Sequence, residues 1–369
     1  MASNRNLHSA KDKKKDEFYT QLPDIERELI HYKDHFKGKT VLCNCDDPYE
    51  SNFFKYFALN FNYFGLKKLT ATCYRGSPIS YTELPLFPEL EPQEKELRPP
   101  YKAVISDTSN FGNNGAFDLA DIANLLKSDK NSCGLLQGDG DFRSEECVEL
   151  LKESDIVVTN PPFSLFREFI NLLVKYDKKF IIIGNKNAIT YKEVFSLIKE
   201  NKLWIGVTPM SKEVYFDVPQ SYIDEAIENH KDRSVVRVDG KYVARSQSIW
   251  FTNLDNKKRH DELELFKTYN PEDYPKYDNY DAIEVSKATD VPVDYDGIMA
   301  VPVTFLDKYN PEQFEILGIT QRSDDPFKTK YYTKDEYENA NDLNARGVIM
   351  INGKPKSMYA RILIKRRKM

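Results

Sequence analysis

Runs of apolar, largely β-branched residues recur along the first part of the chain, separated by segments of helical spacing. Thr40-Val41-Leu42-Cys43-Asn44, Leu69 to Tyr74, Gly134-Leu135-Leu136-Gln137, Ile156-Val157-Val158, Phe180 to Asn185 and Leu203-Trp204-Ile205 read as buried strands. Between them, Ile25, Leu29 and Tyr32 share one helical face, and Ser51 to Phe61 is an aromatic helix. Leu165 to Val174 and Tyr191 to Lys199 also carry apolar residues at helical spacing. This βαβα alternation predicts an α/β fold with a parallel sheet and helices on both faces.

Two stretches break the alternation. Residues 76–130 are rich in Pro, Glu, Asn and Ser and too long for an ordinary connection. They read as an insertion on the sheet's rim, with a strand at Lys102 to Ser106 and a short helix around Leu119 to Leu126. Beyond Gly206 come short strands and many tyrosines: Asp239-Gly240 is a hairpin turn, and Ser248 to Thr252 returns as an edge strand of the main sheet. From Asp255, the apolar segments Gly297 to Phe305, Phe314 to Thr320, Gly347 to Ile351 and Tyr359 to Ile364 predict a smaller mixed α+β domain. The expected division is an arm over 1–36, a main domain over 37–254 and the smaller domain over 255–369.

The informative polar positions stand where strands end. Pro161 and Pro162 stop the strand of Ile156 and hold Asn160 at its carboxyl end, with an extended backbone. That edge is where open α/β sheets bind ligands. An amide oxygen, a fixed carbonyl and the ring of Phe163 suit a planar ring bearing an exocyclic amine. A proline-terminated strand without chemistry would look the same. After the Thr40 strand, Cys45-Asp46-Asp47-Pro48 forms an acidic turn; a carboxylate there accepts from a ligand's ammonium or ribose hydroxyls, or caps the next helix. In Gly138-Asp139-Gly140-Asp141-Phe142-Arg143, glycines allow close backbone approach, while Asp141 and Phe142 offer an acceptor and a flat contact to an adenine ring. No bidentate Glu continues that spacing, which argues against a calcium loop.

Composition narrows the class. No apolar run reaches the length of a membrane span, and the lysine-rich N-terminus lacks a secretory h-region, so the cytoplasm is expected. Five cysteines and five histidines lie scattered, which predicts neither a metal site nor a disulfide framework. A net charge of -5 argues against non-specific coating of nucleic acid and leaves room for a site-specific reader. Positive charge gathers at Lys11 to Lys15 and Lys365 to Lys368, which serve equally well as solvated tails.

Four segments carry a resemblance: Asp16 to Gln21; Asn44 to Pro48 with Ser51 to Phe57; Gly138 to Ser144; and Asp155 to Phe163 continued through Glu168. Together they resemble the adenine-specific DNA methyltransferases, in particular the EcoRI DNA methyltransferase family. The resemblance implies a Rossmann-like methyltransferase sheet, a target-recognition domain over 255–369 and S-adenosyl-L-methionine as cofactor. It implies methyl transfer to adenine N6 in a specific double-stranded DNA sequence, with the base flipped out. Tyr19 and Thr20 would border the methionine end of the cofactor. Cys45, Asp46, Asp47 and Pro48 would form its acidic loop, and Asp139, Asp141 and Phe142 would hold its adenine. Asn160, Pro161, Pro162 and Phe163 would form the catalytic base pocket, with Asn160 also bordering the cofactor. Two features depart from the pattern: the first loop lacks glycines, and Tyr74-Arg75-Gly76 stands where a ribose-binding acid is often found.

The chemistry agrees with the tetrad. Adenine's exocyclic nitrogen is a poor nucleophile, and acceptors from Asn160 and the Pro161 carbonyl would stabilise the charge that develops on it. Cytosine C5 methylation needs a thiolate, and no cysteine occupies the corresponding position after proline. Similar tetrads also serve amine methyltransferases acting on RNA or protein glutamine, and a catalytically silent DNA-binding protein could retain the fold. A separate C-terminal region favours DNA site reading. The expected form is a monomer acting on duplex DNA, with no membrane partner.

Overall fold

In the computed structural model, the described residues are 19–47, 51–74, 100–108, 131–218, 220–228, 234–238, 240–321 and 325–367. Pro48, the Lys11 to Lys15 run, the Leu119 to Leu126 helix and Asp239 of the hairpin turn lie outside them. The chain divides into two compact units, one from residues up to Ala188 with Gly206–Leu254, the other from Ile189–Ile205 with Asp255–Met369.

The first unit contains β1 (Tyr19–Thr20), β2 (Thr40–Cys43), β3 (Lys68–Thr72), β4 (Tyr101–Ile105), β5 (Ser132–Leu135), β6 (Ile156–Thr159) and β7 (Lys179–Asn185). After the segment that carries β8 (Trp204–Ile205) in the second unit, it continues with β9 (Val214–Asp217), β10 (Val235–Val238), β11 (Lys241–Ser246) and β12 (Ser248–Thr252). Its main sheet runs β5-β4-β3-β2-β6-β7-β12.

The fold is mixed α/β, and the sheet is mixed where an all-parallel one is expected from the alternation. The pairs β2–β3, β2–β6 and β6–β7 are parallel, whereas β4 runs antiparallel to β3 and β12 antiparallel to β7. The parallel centre is buried throughout, as both-face burial requires. By contrast, β4 alternates buried and half-buried residues, and β5 at the rim is partly exposed. Because β5 is antiparallel to β4, its carboxyl end returns to the edge where β2, β3 and β6 end.

Aromatic burial aims the helix after β2. Phe53, Phe54, Tyr56 and Phe57 of helix Asn52–Leu59 are buried, and Phe53 meets Trp250 edge-on at 5.9 Å. Each fully buried phenylalanine contributes about 1.5–3 kcal/mol, enough to fix the helix's N-terminus beside the sheet edge. At the opposite edge, Thr40 N–H donates to the Asp155 carboxylate at 2.8 Å and Asp155 N–H donates to Thr40 O at 2.9 Å, setting the register of β2 and β6.

The helix Leu22–Leu29 is tied in by Glu28, which is fully buried. Its carboxylate accepts from Val207 N–H and Thr208 N–H, both at 2.7 Å, and from the Tyr32 hydroxyl at 2.9 Å. A Cβ at Gly206 would lie 2.3 Å from that carboxylate, so this close approach needs glycine. A second sheet, β1-β9-β11-β10, is antiparallel throughout and places Thr20 opposite Phe216.

The second unit holds β13 (Ala282–Glu284), β14 (Ile298–Pro302), β15 (Phe314–Ile319), β16 (Val348–Ile351), β17 (Lys354–Ser357) and β18 (Arg361–Arg366). Its sheet runs β13-β14-β18-β15, with β16–β17 as a separate hairpin. Ile316, Ile362 and Leu363 are among its buried residues, and Arg361 clamps the buried Glu284 at 2.7 and 3.0 Å.

Candidate active site

The carboxyl ends of β2, β3, β5 and β6 bring together most of the residues singled out in the sequence. The turn after β2 is held by its neighbours. Asp46 N–H donates to Thr72 O at 3.1 Å, and the fully buried Thr159 hydroxyl at the end of β6 donates to the Asp46 carboxylate while lying against Asn44 O. Cys45 sits in the left-handed region at φ 64, a conformation usually given to glycine. The glycine-free loop therefore makes the sharp turn with a non-glycine residue.

Neither aspartate caps the following helix, because Ser51 does so by accepting from Phe53 N–H at 3.1 Å. Asp46 is 3% exposed and its carboxyl is pushed up to about 7. Burial is the main cause and the neighbouring Asp47 adds to it, against hydrogen bonds from Thr159, Ser51 and the Asn160 N–H. Asp47, also buried, accepts from the Tyr101 hydroxyl at 2.6 Å.

Thr20 is brought to the same place by the helix that the turn leads into. Its carbonyl accepts from the Asn52 side chain at 2.8 Å, and its own hydroxyl is buried without a hydrogen-bond partner among the described residues. The side-chain amide of Asn44 and the hydroxyl of Thr72 are in the same state. Three buried, unsatisfied polar side chains around one sheet edge are costly unless a polar ligand completes them. Their donors and acceptors suit the amino-acid and hydroxyl groups of a nucleoside-type cofactor.

The loop after β5 makes a second approach. Gly140, at φ 77, stands so close to Cys73 that a Cβ there would lie 2.1 Å from the Cys73 carbonyl oxygen. Asp139 accepts from Asp141 N–H at 2.9 Å. Burial would raise the Asp141 carboxyl, but hydrogen bonds and charge from Arg143 hold it below its ordinary value. Phe142 is 3% exposed and meets Phe169 edge-on at 5.1 Å, so most of its ring is committed to the fold and anchors the loop.

Asn160 stands half-buried at the end of β6, followed by buried Pro161 and half-buried Pro162 and Phe163. The Phe163 ring lies 6.4 Å from that of Phe216, the residue paired with Thr20. Thus Thr20, Cys45, Asp46, Asp47 and Asn160 share one edge, with Asp139 and Asp141 on the neighbouring loop. For Tyr19 the backbone alone is described, paired with Asp217.

Asn44, Thr72, Tyr101 and Thr159 join the site without having been singled out in the sequence. Thr159 is adjacent to Asn160 and Asn44 to Cys45, so position beside a strand end was their signal. Tyr101 lies within the stretch read as an insertion and had none. The Cys73 thiol is pushed up, first by burial and then by Asp47, which removes a thiolate from this edge. Among the described residues, no group of three His, Cys, Asp or Glu side chains could hold a metal ion, and no helix is long and apolar enough to cross a membrane.

Strand ends that combine an acidic turn with Asn-Pro-Pro-Phe fit one class of protein, a methyltransferase. Sequence comparison gives the particular family: the model described as adenine-specific methyltransferase EcoRI matches residues 6–367, and the chain belongs to that family. It is 48% identical over 328 residues to the Type II methyltransferase M.EcoRI of Escherichia coli, covering 88% of this chain and 92% of that one. It is 36% identical over 366 residues to M.MgeORF184P of Mycoplasma genitalium and 36% over 364 residues to M.MpnI of Mycoplasma pneumoniae. Both are named Type II methyltransferases and are covered, like this chain, to 98%. No solved structure matches the chain.

Proposed function

We propose that the protein transfers a methyl group from S-adenosyl-L-methionine to the N6 amine of an adenine flipped out of a specific duplex DNA sequence. The observation that carries this reading is the meeting, on one sheet edge, of Asn160-Pro161-Pro162-Phe163 with the buried, unsatisfied side chains of Thr20, Asn44 and Thr72. When bound, the cofactor supplies an electrophilic sulfonium methyl.

Thr20, with the backbone of Tyr19, holds the methionine end; Asp46 and Asp47 present carboxyl groups to its ammonium and hydroxyls, and Cys45 shapes that turn. Asp139, Asp141 and the backbone anchored by Phe142 border its adenine. The Asn160 amide oxygen and the Pro161 carbonyl accept the two hydrogens of the target amine. The nitrogen is thereby drawn towards a tetrahedral geometry in which its lone pair is less delocalised into the ring, and charge developing on it is stabilised. Pro161 and Pro162 keep these acceptors from relaxing, and Phe163 stacks on the flipped base. No strong base is required for the transfer itself.

The second unit reads the DNA site, and the protein works as a monomer in the cytoplasm of a bacterium or of a phage-infected host. Asn160→Ala tests the assignment. We expect methyl transfer to fall by about 100-fold or more, the scale of losing one charge-stabilising group, while calorimetry shows nearly unchanged cofactor affinity. Equal loss of cofactor affinity would place Asn160 in the cofactor site instead of the base pocket.

A further inference from the structure

The hairpin β16–β17 has a root and a tip of opposite character. At the root, Val348 is fully buried and Ile349 is 5% exposed. Val348 N–H donates to the Asn279 side chain at 2.8 Å, Val348 O accepts from Asp278 N–H at 2.8 Å, and the Ser357 hydroxyl donates to Asp342 at 2.6 Å. Past this anchor, Met350 and Ile351 are 38% and 46% exposed. The turn Asn352-Gly353, at φ 51 and 76, closes the ribbon with both central residues left-handed, which matches the twist of paired strands.

Register fixes what each face of the ribbon presents. Ile351 lies opposite Lys354 and Ile349 opposite Lys356, so both lysines stand on one face, while Met350 and Pro355 share the other. Along the sequence the charge is one-sided: from Leu343 to Arg367 the chain has seven Lys and Arg and no Asp or Glu, in a protein of net charge -5, and the acid that meets the hairpin root is Asp342. Arg361 is paired with Glu284 and Arg346 with Asp342, whereas no ion pair among the described residues engages Lys354 or Lys356. Ile351 left in water on the face of two uncommitted lysines, and Met350 left in water on the reverse face, are costly for a free surface and fit a polyanion whose grooves expose apolar groups.

We propose that this hairpin is a DNA-contacting arm that enters the major groove tip first, so that Met350 and Ile351, on opposite faces of the ribbon, meet base edges while Lys354 and Lys356 reach phosphates. A groove about 12 Å wide admits a two-stranded ribbon, and thymine methyls there offer apolar contact. The lysines position the arm and its tip contributes to choice of sequence. The inference rests on the duplex-DNA reading above.

The test uses the full chain with two double variants, Lys354→Gln/Lys356→Gln and Met350→Ser/Ile351→Ser. Binding is measured by fluorescence anisotropy on a duplex bearing the site mapped by sequencing methylated DNA from expressing cells, and on a scrambled duplex. Melting and calorimetric titration with S-adenosyl-L-methionine serve as controls, and both should match the parent. The lysine variant should weaken on both duplexes alike and lower the slope of log affinity against log salt by about 2. The apolar variant should keep the slope and lose about five-fold or more of the preference for the mapped site. Parental affinity, slope and preference in both variants would overturn the proposal. So would a changed sedimentation state with unchanged DNA binding, which would assign the tip to a second copy of the chain. A parent protein that takes the cofactor but binds no duplex would instead sink the DNA reading, and this proposal with it.

Discussion

At the scale of the residue, the site turns on Thr159 and Asp46. One hydroxyl with no exposure ties the carbonyl of Asn44 and the carboxyl of Asp46 to the end of the strand that carries Asn160. Any shift in the acidic turn is therefore felt at the proposed base pocket. Because burial pushes Asp46 up to about 7 from an ordinary value of 3.8, its proton linkage has a defined sign. The folded state holds this proton more tightly than the unfolded chain. The resulting stabilisation is full below about pH 4, falls as pH rises between those values, and is gone above about 7. A cationic cofactor facing Asp46 favours the ionised carboxylate. Binding of S-adenosyl-L-methionine should therefore release protons near pH 6.5 and tighten between pH 6 and 8. Calorimetry in buffers of different ionisation heat measures this, and Asp46→Asn should flatten the dependence. Proton-neutral binding in the parent would mean that the cofactor's charge does not face Asp46.

At the scale of the element, what the sequence made legible was the parallel centre. Val41-Leu42-Cys43 and Ile156-Val157-Val158 are runs that must be buried on both faces, and prolines mark where the second of them stops. Strand direction was not legible, because β4 and β12 are reversed by the side from which their connections enter, and apolar content carries no trace of that. Long-range ties were equally hidden: Glu28 reaches the amides of Val207 and Thr208, and Thr20 pairs with Phe216, across most of the unit's sequence. Gly140 lies between these cases, since its loop was recognisable but its partner, the Cys73 carbonyl, was not. Gly140→Ala should cost at least about 2 kcal/mol, combining the left-handed penalty with the clash. Thermal melting should fall by several degrees. A variant that melts like the parent would show that the loop does not need this approach.

At the scale of the whole molecule, a net charge of -5 coexists with a C-terminal stretch free of acids, and duplex binding should accordingly be local and salt-sensitive. Membership of the adenine-specific EcoRI methyltransferase family and the strand-end chemistry converge on one reaction, although they come from different observations. The family match spans both compact units, whereas the catalytic chemistry argued above uses residues of the first unit alone. The central claim is tested most directly by incubating the protein with methyl-labelled S-adenosyl-L-methionine and duplex DNA, with RNA and protein offered in parallel, and identifying the labelled product after digestion. The account predicts label in N6-methyldeoxyadenosine from duplex DNA, at one recurrent sequence. Label confined to RNA or protein, or in a methylated cytosine, would contradict it.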